Sequence, residues 1–271
     1  MRTPPASSLQ GRRILVTRPR AQAAQLTRLL EAYGAETVAL PTIRIEPPED
    51  WAPLDGAIRS LDGFRCVIFT SVNGVAAFRE RLRQAGGGAP RVASQIVVAI
   101  GPATAEALRQ EGFRADVVPE EFTAEGVVQA LRPRLGPGDA VLLVRAAEAR
   151  DVLPRELAAS GARVTIAPAY RTTLTREGWE RALALLEARQ IDAVTFTSSS
   201  TVRGFAAVVA PDDPGRLLRD VVVAAIGPIT AATAAEHGLR VRVMPNEYTV
   251  PALAEAIAGY FATSPPAALR S

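Results

Sequence analysis

Short apolar runs alternate along the chain with amphipathic segments, and this alternation predicts the secondary structure. The runs lack polar alternation, which is typical of strands buried on both faces of a sheet. Amphipathic segments such as AQLTRLLEAYG and AEALRQEG end at Gly, the expected residue after a helix C-terminus. Strands separated by helices predict parallel sheets covered on both faces. The predicted strands are residues 14–17, 36–40, 66–70, 96–100, 115–118, 140–144, 163–167, 193–197, 221–226 and 241–244.

The second half of the chain repeats the first. FTSVNGV (69–75) matches FTSSSTV (196–202), AIGPATA (99–105) matches AIGPITA (225–231), VPEEFTAEGVVQAL (118–131) matches MPNEYTVPALAEAI (244–257), and YGAETVALP (33–41) matches SGARVTIAP (160–168). The offset of 126 to 127 residues is far longer than a solenoid repeat. An internal duplication with five strands per copy predicts an α/β fold of two flavodoxin-like domains, each a doubly wound parallel sheet.

Two extended stretches, rich in Pro or Thr, follow the second predicted strand of each copy and interrupt the alternation. They are PTIRIEPPEDW (41–51) and PAYRTTL (168–174), and we interpret them as crossings between the domains. This predicts a discontinuous first domain of residues 1–40 plus 175–262 and a second domain of residues 47–167. The linkers would be 41–46 and 168–174, joined as a two-stranded element, and residues 263–271 would form a disordered tail. The pattern alone also allows two contiguous halves.

Charge and composition exclude several classes of function. Among 271 residues, 48% are hydrophobic, the net charge is only +3, and every basic residue is Arg. Without Lys there is no Schiff base and no P-loop lysine, and the mild charge argues against a nucleic-acid partner. The N-terminus lacks the apolar core of a signal peptide, and no apolar run approaches the ~20 residues of a membrane helix. We therefore expect a cytoplasmic protein without a membrane partner.

The chain has one Cys and one His. A single Cys excludes an internal disulfide, and these two residues alone cannot form a metal site. Cys66 lies in the apolar run CVIF and is expected to be buried in a strand. His237 is placed where a helix ends, where a cation suits the helix dipole. Gly residues 86–88 are expected to form a loop. We expect no metal and no cofactor.

Polar residues with a shared chemistry follow the predicted strands, and ligands of parallel sheets bind at those carboxyl ends. Gly-Pro at the start of a helix leaves backbone N–H groups free for an anion, and hydroxyl side chains add donors. Two domains facing each other would line one cleft with such sites, which favours a large polyanion. Each hydroxyl has helix capping alone as an alternative. The candidates are Arg18, Ser71, Asn73, Gly101 and Thr104 in the first copy, and Arg145, Ser198, Ser200, Gly227 and Thr230 in the second.

The order of these motifs resembles the uroporphyrinogen-III synthase family. VTRP, FTSVNGV, AIGPATA, AYRT, FTSSS, AIGPITA and PNEYT carry the resemblance, which covers residues 13 to about 260. It implies a cyclising hydro-lyase without a cofactor, acting on hydroxymethylbilane, a linear tetrapyrrole polycarboxylate. The implied reaction inverts ring D through a spiro-pyrrolenine, loses water and gives uroporphyrinogen III, the precursor of heme and related tetrapyrroles.

The resemblance also implies roles for individual residues. Tyr170, in AYRT, matches the proposed proton donor to the departing hydroxyl, with a packed hinge aromatic as the alternative. Ser71 and Asn73 match substrate-facing positions of the family's first FTS loop, although many members carry Arg where this chain has Asn73. Ser198 and Ser200 are their counterparts in the second copy, and Thr104 and Thr230 match the threonines of the two Gly-Pro helices. Arg18 and Arg145 are paired by the repeat, and both are assigned to substrate carboxylates. Thr123 and Thr249 are expected to be helix caps.

Three other functions remain as alternatives. A non-catalytic tetrapyrrole-binding sensor would share the fold, a periplasmic-type anion-binding protein would usually carry a signal peptide, and an unrelated α/β transferase lacks support because no nucleotide motif is present. We expect a monomer that makes transient contact with hydroxymethylbilane synthase.

Overall fold

The computed structural model describes residues 5, 7–86 and 94–263 of the chain. The chain divides into two units, Met1–Arg44 with Thr173–Ser271 and Ile45–Thr172. It passes between the units once within residues 41–46 and once within residues 168–174, so this division is not that of two contiguous halves. The loop predicted at 86–88 lies outside the described residues except for Gly86, and so does the tail predicted at 263–271 except for Thr263.

The strands follow the apolar runs closely. In chain order they are β1 (Arg13–Val16), β2 (Glu36–Ala39), β3 (Ile43–Glu46), β4 (Cys66–Phe69), β5 (Ile96–Ala99), β6 (Ala140–Ala146), β7 (Arg163–Leu174), β8 (Ala193–Phe196), β9 (Val222–Ala225) and β10 (Val241–Val243). The central positions of β1, β4, β5, β6, β8 and β9 are buried, as expected for strands with helices on both faces of the sheet. The prediction of a strand at 115–118 is wrong: this segment makes only an isolated parallel bridge, Val98 to Val117, and Val118 is exposed.

Helices connect the strands as the amphipathic segments predict. They are α1 (Arg20–Ala32), α2 (Ala52–Arg59), α3 (Val72–Gln84), α4 (Pro102–Gln110), α5 (Ala124–Leu131), α6 (Val152–Ala159), α7 (Trp179–Glu187), α8 (Ser199–Val209), α9 (Pro214–Leu217), α10 (Pro228–Glu236) and α11 (Val250–Ala262), with a 3-10 turn at Leu61–Gly63. Gly34 and Gly112, which follow α1 and α4, have φ of 94° and 81°. This left-handed conformation explains why glycine ends those helices.

Each unit has the strand order of a doubly wound sheet. In the described residues, the first sheet runs β10-β9-β8-β1-β2 and the second runs β3-β7-β6-β4-β5. In the first sheet, the neighbouring pairs β2–β1, β1–β8, β8–β9 and β9–β10 are all parallel. In the second sheet, the pairs β5–β4, β4–β6 and β6–β7 are also parallel. Read from β2, the first sheet has the 2-1-3-4-5 order of flavodoxin-like folds. The predicted fold class is therefore confirmed.

The two stretches interpreted as crossings are neighbouring strands. The 41–46 stretch contains β3, and the 168–174 stretch is the last part of β7, which adjoins β3 in the second sheet. The second strand of that copy and its crossing are thus one continuous strand of 12 residues. This continuity places Tyr170 inside a strand, where its neighbours are fixed by the sheet register.

No helix in the described part of the chain is long and apolar enough to cross a membrane.

Candidate functional site

Three of the predicted site residues meet at the carboxyl edge of the second sheet. Tyr170 lies in β7, and its hydroxyl is hydrogen-bonded with the side chains of Ser71 and Asn73. Ser71 follows β4 and caps α3, where its Oγ accepts a hydrogen bond from the backbone N–H of Gly74 at 3.1 Å. The sheet order β7-β6-β4 brings these residues together. A phenol, a hydroxyl and an amide thus form one small polar cluster.

The surroundings of Tyr170 favour its neutral, protonated form. Tyr170 packs against the apolar core of the second unit, and this burial raises the pKa of its phenol. The negative charge of Glu148 acts in the same direction, whereas the hydrogen bonds with Ser71 and Asn73 oppose it. Because the ordinary phenol pKa is ~10, Tyr170 is protonated at neutral pH and can donate a proton or a hydrogen bond.

The equivalent edge of the first unit carries a cluster of serines. Ser198 caps α8: its Oγ accepts from the N–H of Thr201 at 3.2 Å, and the Thr201 hydroxyl accepts from the N–H of Ser198 at 3.3 Å. The Oγ atoms of Ser198 and Ser200 are 2.9 Å apart, and the Oγ of Ser199 is 2.7 Å from the Thr233 hydroxyl. Ser198 caps the helix, and all three serines remain partly exposed, so capping and ligand contact are compatible.

The two Gly-Pro motifs open helices in both units. Gly101 is the N-cap of α4 and Gly227 that of α10, each followed by Pro in the first turn and by a buried Thr, Thr104 or Thr230. A helix N-terminus leaves backbone N–H groups without intrahelical partners and carries a partial positive charge. These ends have the chemistry of an anion site.

Aromatic side chains pack over both of these glycines, a feature that the sequence reasoning missed. A Cβ on Gly101 would lie 3.3 Å from the ring of Phe122, and one on Gly227 would lie 3.1 Å from that of Tyr248. Both aromatics directly precede threonines, Thr123 and Thr249. The side chains of these threonines accept the N–H groups of Gly126 and Ala252, which confirms that they cap α5 and α11. The signal was present in the repeat, as EFT and EYT, but only packing shows what the aromatic ring contacts.

The two arginines paired by the repeat have different surroundings. Arg145 lies within β6 rather than after it, is buried, and bonds the carboxylate of Asp151 at 2.8 Å and the carbonyl of Arg150 at 3.0 Å. Arg18 follows β1 and is partly buried, and burial lowers the pKa of its guanidinium. The buried Nε atoms of both arginines have no hydrogen-bond partner, but among the described residues no carboxylate lies within ion-pair distance of Arg18, whereas Asp151 pairs with Arg145. Arg18 therefore has more capacity for an external carboxylate than Arg145.

Cys66 and His237 lie outside these clusters. Cys66 is fully buried in β4, and burial raises the pKa of its thiol to about 12. His237 is the residue at which α10 ends. Within the described ranges, no group of three or more His, Cys, Asp or Glu side chains could hold a metal ion.

An open cavity of about 630 Å³ lies in the first unit, away from the predicted site residues. Its lining includes Asp192 and Val221, which immediately precede the apolar runs of β8 and β9. It therefore opens at the amino ends of these strands, whereas ligands of parallel sheets bind at the carboxyl ends. The cavity is therefore not part of the candidate site.

The fold and the site residues together define an α/β protein of two doubly wound units, with a phenol, hydroxyls and helix N-termini at the carboxyl ends of its strands. A family model described as uroporphyrinogen-III synthase HemD matches residues 24–255. The chain belongs to the uroporphyrinogen-III synthase family.

Individual relatives agree with this assignment. The uroporphyrinogen-III synthase of Synechococcus elongatus is 35% identical over 92% of this chain and 95% of its own length, and that of Chlorobaculum parvum is 30% identical over 90% and 97%. Among solved structures, a mutant uroporphyrinogen III synthase of Thermus thermophilus covers 92% of this chain and 97% of its own, with a TM-score of 0.67 at 23% identity. At that identity the structural likeness supports the fold alone.

Proposed function

We propose that this chain catalyses the cyclisation of hydroxymethylbilane to uroporphyrinogen III, with inversion of ring D and loss of water. The reaction begins when the hydroxymethyl group ionises to an azafulvene. The substituted α-carbon of ring D then attacks, and the spiro-pyrrolenine that forms fragments and closes in the opposite orientation. The protein has to fold the substrate for this attack and assist the departure of the hydroxyl.

The observation that carries this proposal is the environment of Tyr170 in a member of this family. Its hydroxyl is protonated at neutral pH, partly removed from water and held by Ser71 and Asn73. A proton donor to a departing hydroxyl needs these properties. In this role Tyr170 donates its proton to the leaving oxygen, and the two partners fix the direction of donation.

Substrate carboxylates would bind at the remaining strand ends. The N-termini of α4 and α10, at Gly101 and Gly227 with the adjacent Thr104 and Thr230, would each accept one, because N–H donors and the helix dipole favour an anion. Ser198 and Ser200 would donate hydroxyl hydrogen bonds to another carboxylate.

The two arginines would contribute unequally to carboxylate binding. Arg18 would form a charge-assisted pair with a substrate carboxylate. Arg145 would have to exchange its pair with Asp151 for the substrate, which makes its contribution smaller.

The test uses freshly generated hydroxymethylbilane, with the type I and type III porphyrin isomers resolved by chromatography after oxidation of the products. Mostly type III isomer, formed faster than in a protein-free control, supports the proposal. Type I isomer alone, at the uncatalysed rate, refutes it. Binding of a tetrapyrrole without turnover would then favour the sensor alternative.

The environment of the protein is also a proposal. We expect a cytoplasmic monomer that meets its unstable substrate through transient contact with hydroxymethylbilane synthase. Sedimentation at several concentrations tests the monomer. A coupled assay with an added competing type III synthase tests substrate transfer.

A further inference from the structure

Glu148 follows β6 and lies beside Tyr170. Its position is fixed by the backbone of β7, the strand that contains Tyr170. Ala146 pairs with Tyr170 in the register of β6 and β7, and the N–H of Ala147 donates to the Tyr170 carbonyl at 2.8 Å. One oxygen of the Glu148 carboxylate accepts the N–H of Thr172 at 3.1 Å. The carboxylate is therefore held against β7 two residues beyond Tyr170, although the side chain is exposed.

The charge of Glu148 is not neutralised by an arginine. In the part of the chain that the structure describes, no guanidinium lies within the 4.0 Å ion-pair distance of Glu148, while the nearby Arg145 and Arg171 pair with other carboxylates. An anion that no arginine neutralises would repel a polycarboxylate substrate and weaken its binding. Its presence beside the proposed proton donor therefore calls for a function in the chemical step.

The duplication separates Glu148 from the features that both copies share. At the repeat offset of 127 residues, Ser71 corresponds to the equivalent helix cap Ser198. Glu148 corresponds to Ala21, and Tyr170 corresponds to Ile43. The phenol and the carboxylate thus occur together in one copy and are both missing from the other, which is consistent with a joint role.

We propose that Glu148 is a second catalytic group, whose carboxylate stabilises the positive charge that develops on the hydroxymethyl-bearing pyrrole as the hydroxyl leaves. This inference rests on the proposed function. The C–O bond breaks with its electron pair going to oxygen, the oxygen takes the Tyr170 proton and leaves as water, and a cation remains on the pyrrole. When the ring closes, the α-hydrogen of ring D leaves as a proton, which balances the proton that Tyr170 donated.

The two groups act on opposite charges of one ionisation. Tyr170 neutralises the departing hydroxide, and Glu148 faces the cation left behind. A preorganised charge aimed at developing charge lowers a barrier more than it strengthens ground-state binding. The same carboxylate also helps to keep Tyr170 protonated, since its charge raises the phenol pKa.

The test replaces Glu148 with Gln, which removes the charge but keeps an oxygen to accept the Thr172 N–H. The matched control is Glu156→Gln, at an exposed position on α6 of the same unit. We expect kcat of Glu148→Gln to fall about tenfold. Removing a hydrogen-bond donor to a developing charge typically lowers kcat by about 10²–10³-fold, and the effect here should be smaller because solvent screens an exposed charge. KM should stay equal or fall, the thermal midpoint should not change, and Glu148→Asp should recover part of the rate.

Three results would overturn the inference. If Glu148→Gln retains the wild-type kcat and KM while the wild type makes type III isomer, the inference fails and the proposed function stands. If KM falls with kcat unchanged, Glu148 only repels the substrate. If the wild type makes no type III isomer, the proposed function fails and the inference fails with it.

Discussion

Ser71 has two contacts whose consequences can be separated by mutation. Its Oγ caps α3 through the N–H of Gly74 at 3.1 Å, and it also contacts the Tyr170 hydroxyl. Thr123 caps α5 of the same unit with the same geometry, at 3.0 Å to the N–H of Gly126, but has no place in the proposed site. Replacing each with Ala therefore compares the loss of a cap that also contacts Tyr170 with the loss of a cap that has no such contact.

The expected magnitudes follow from these contacts. Loss of a Ser or Thr cap costs about 1 kcal/mol of folding free energy. For a protein of this size, that lowers the thermal midpoint by about 2–4 °C. Both variants should show this shift. Only Ser71→Ala should also lower kcat, by about tenfold, because Tyr170 loses one of the partners that orient its hydroxyl.

The assay combines thermal unfolding with the isomer-resolved synthase assay at a temperature where all variants are folded. Ser71→Thr restores a capping hydroxyl and should recover both properties. If Ser71→Ala is destabilised but keeps the wild-type kcat, Ser71 is only a cap. If Thr123→Ala loses the same fraction of kcat, activity follows helix stability, and the proposed contact with Tyr170 has no catalytic effect.

Three further predictions test other parts of the molecule. Tyr170→Phe should lower kcat at least tenfold with a midpoint shift of a few degrees, because it loses an acid catalyst but few packing contacts; full activity would remove the donor role. Asp192→Ala should destabilise the protein by about 3 kcal/mol in denaturant unfolding, since it leaves the buried Arg12 without the carboxylate 3.1 Å away; a loss below 1 kcal/mol would show that Arg12 is compensated elsewhere. The Cys66 thiol, with its pKa raised to about 12 by burial, should resist a thiol reagent at pH 8 until the protein unfolds; rapid labelling of the folded protein would contradict its burial.

The limits of sequence interpretation are clearest in the segment 115–118. Its apolar residues predict a strand, yet its pairing with β5 is limited to one bridge, between Val98 and Val117. Beside this bridge, Asp116 donates its N–H to the Val97 carbonyl at 2.8 Å, but it is the Asp116 side chain that accepts the N–H of Val97, at 2.9 Å. A run of four residues shows that a strand is compatible with the segment. It does not show whether the neighbouring strand offers a full row of partners.

The two arginines of the repeat show a second limit. Sequence symmetry makes Arg18 and Arg145 equivalent. In the structure, Asp151 neutralises Arg145, whereas the described residues provide no carboxylate to Arg18. An ion pair depends on where a loop turns after a strand, and the repeat does not encode that geometry.

The sequence by itself determined the duplicated α/β fold, the helix caps and the edge of each sheet where polar residues gather. These features are local, because burial of a short apolar run, a capping hydroxyl and a Gly-Pro helix start each depend on a few adjacent residues. Only the tertiary structure decided which polar residues are neighbours. Ser71 follows β4, Glu148 follows β6 and Tyr170 lies in β7, so the three residues are far apart in sequence. They meet because β7, β6 and β4 are adjacent in the sheet. Strand order and register depend on the packing of the whole unit, so no local pattern could reveal that Glu148 lies beside Tyr170.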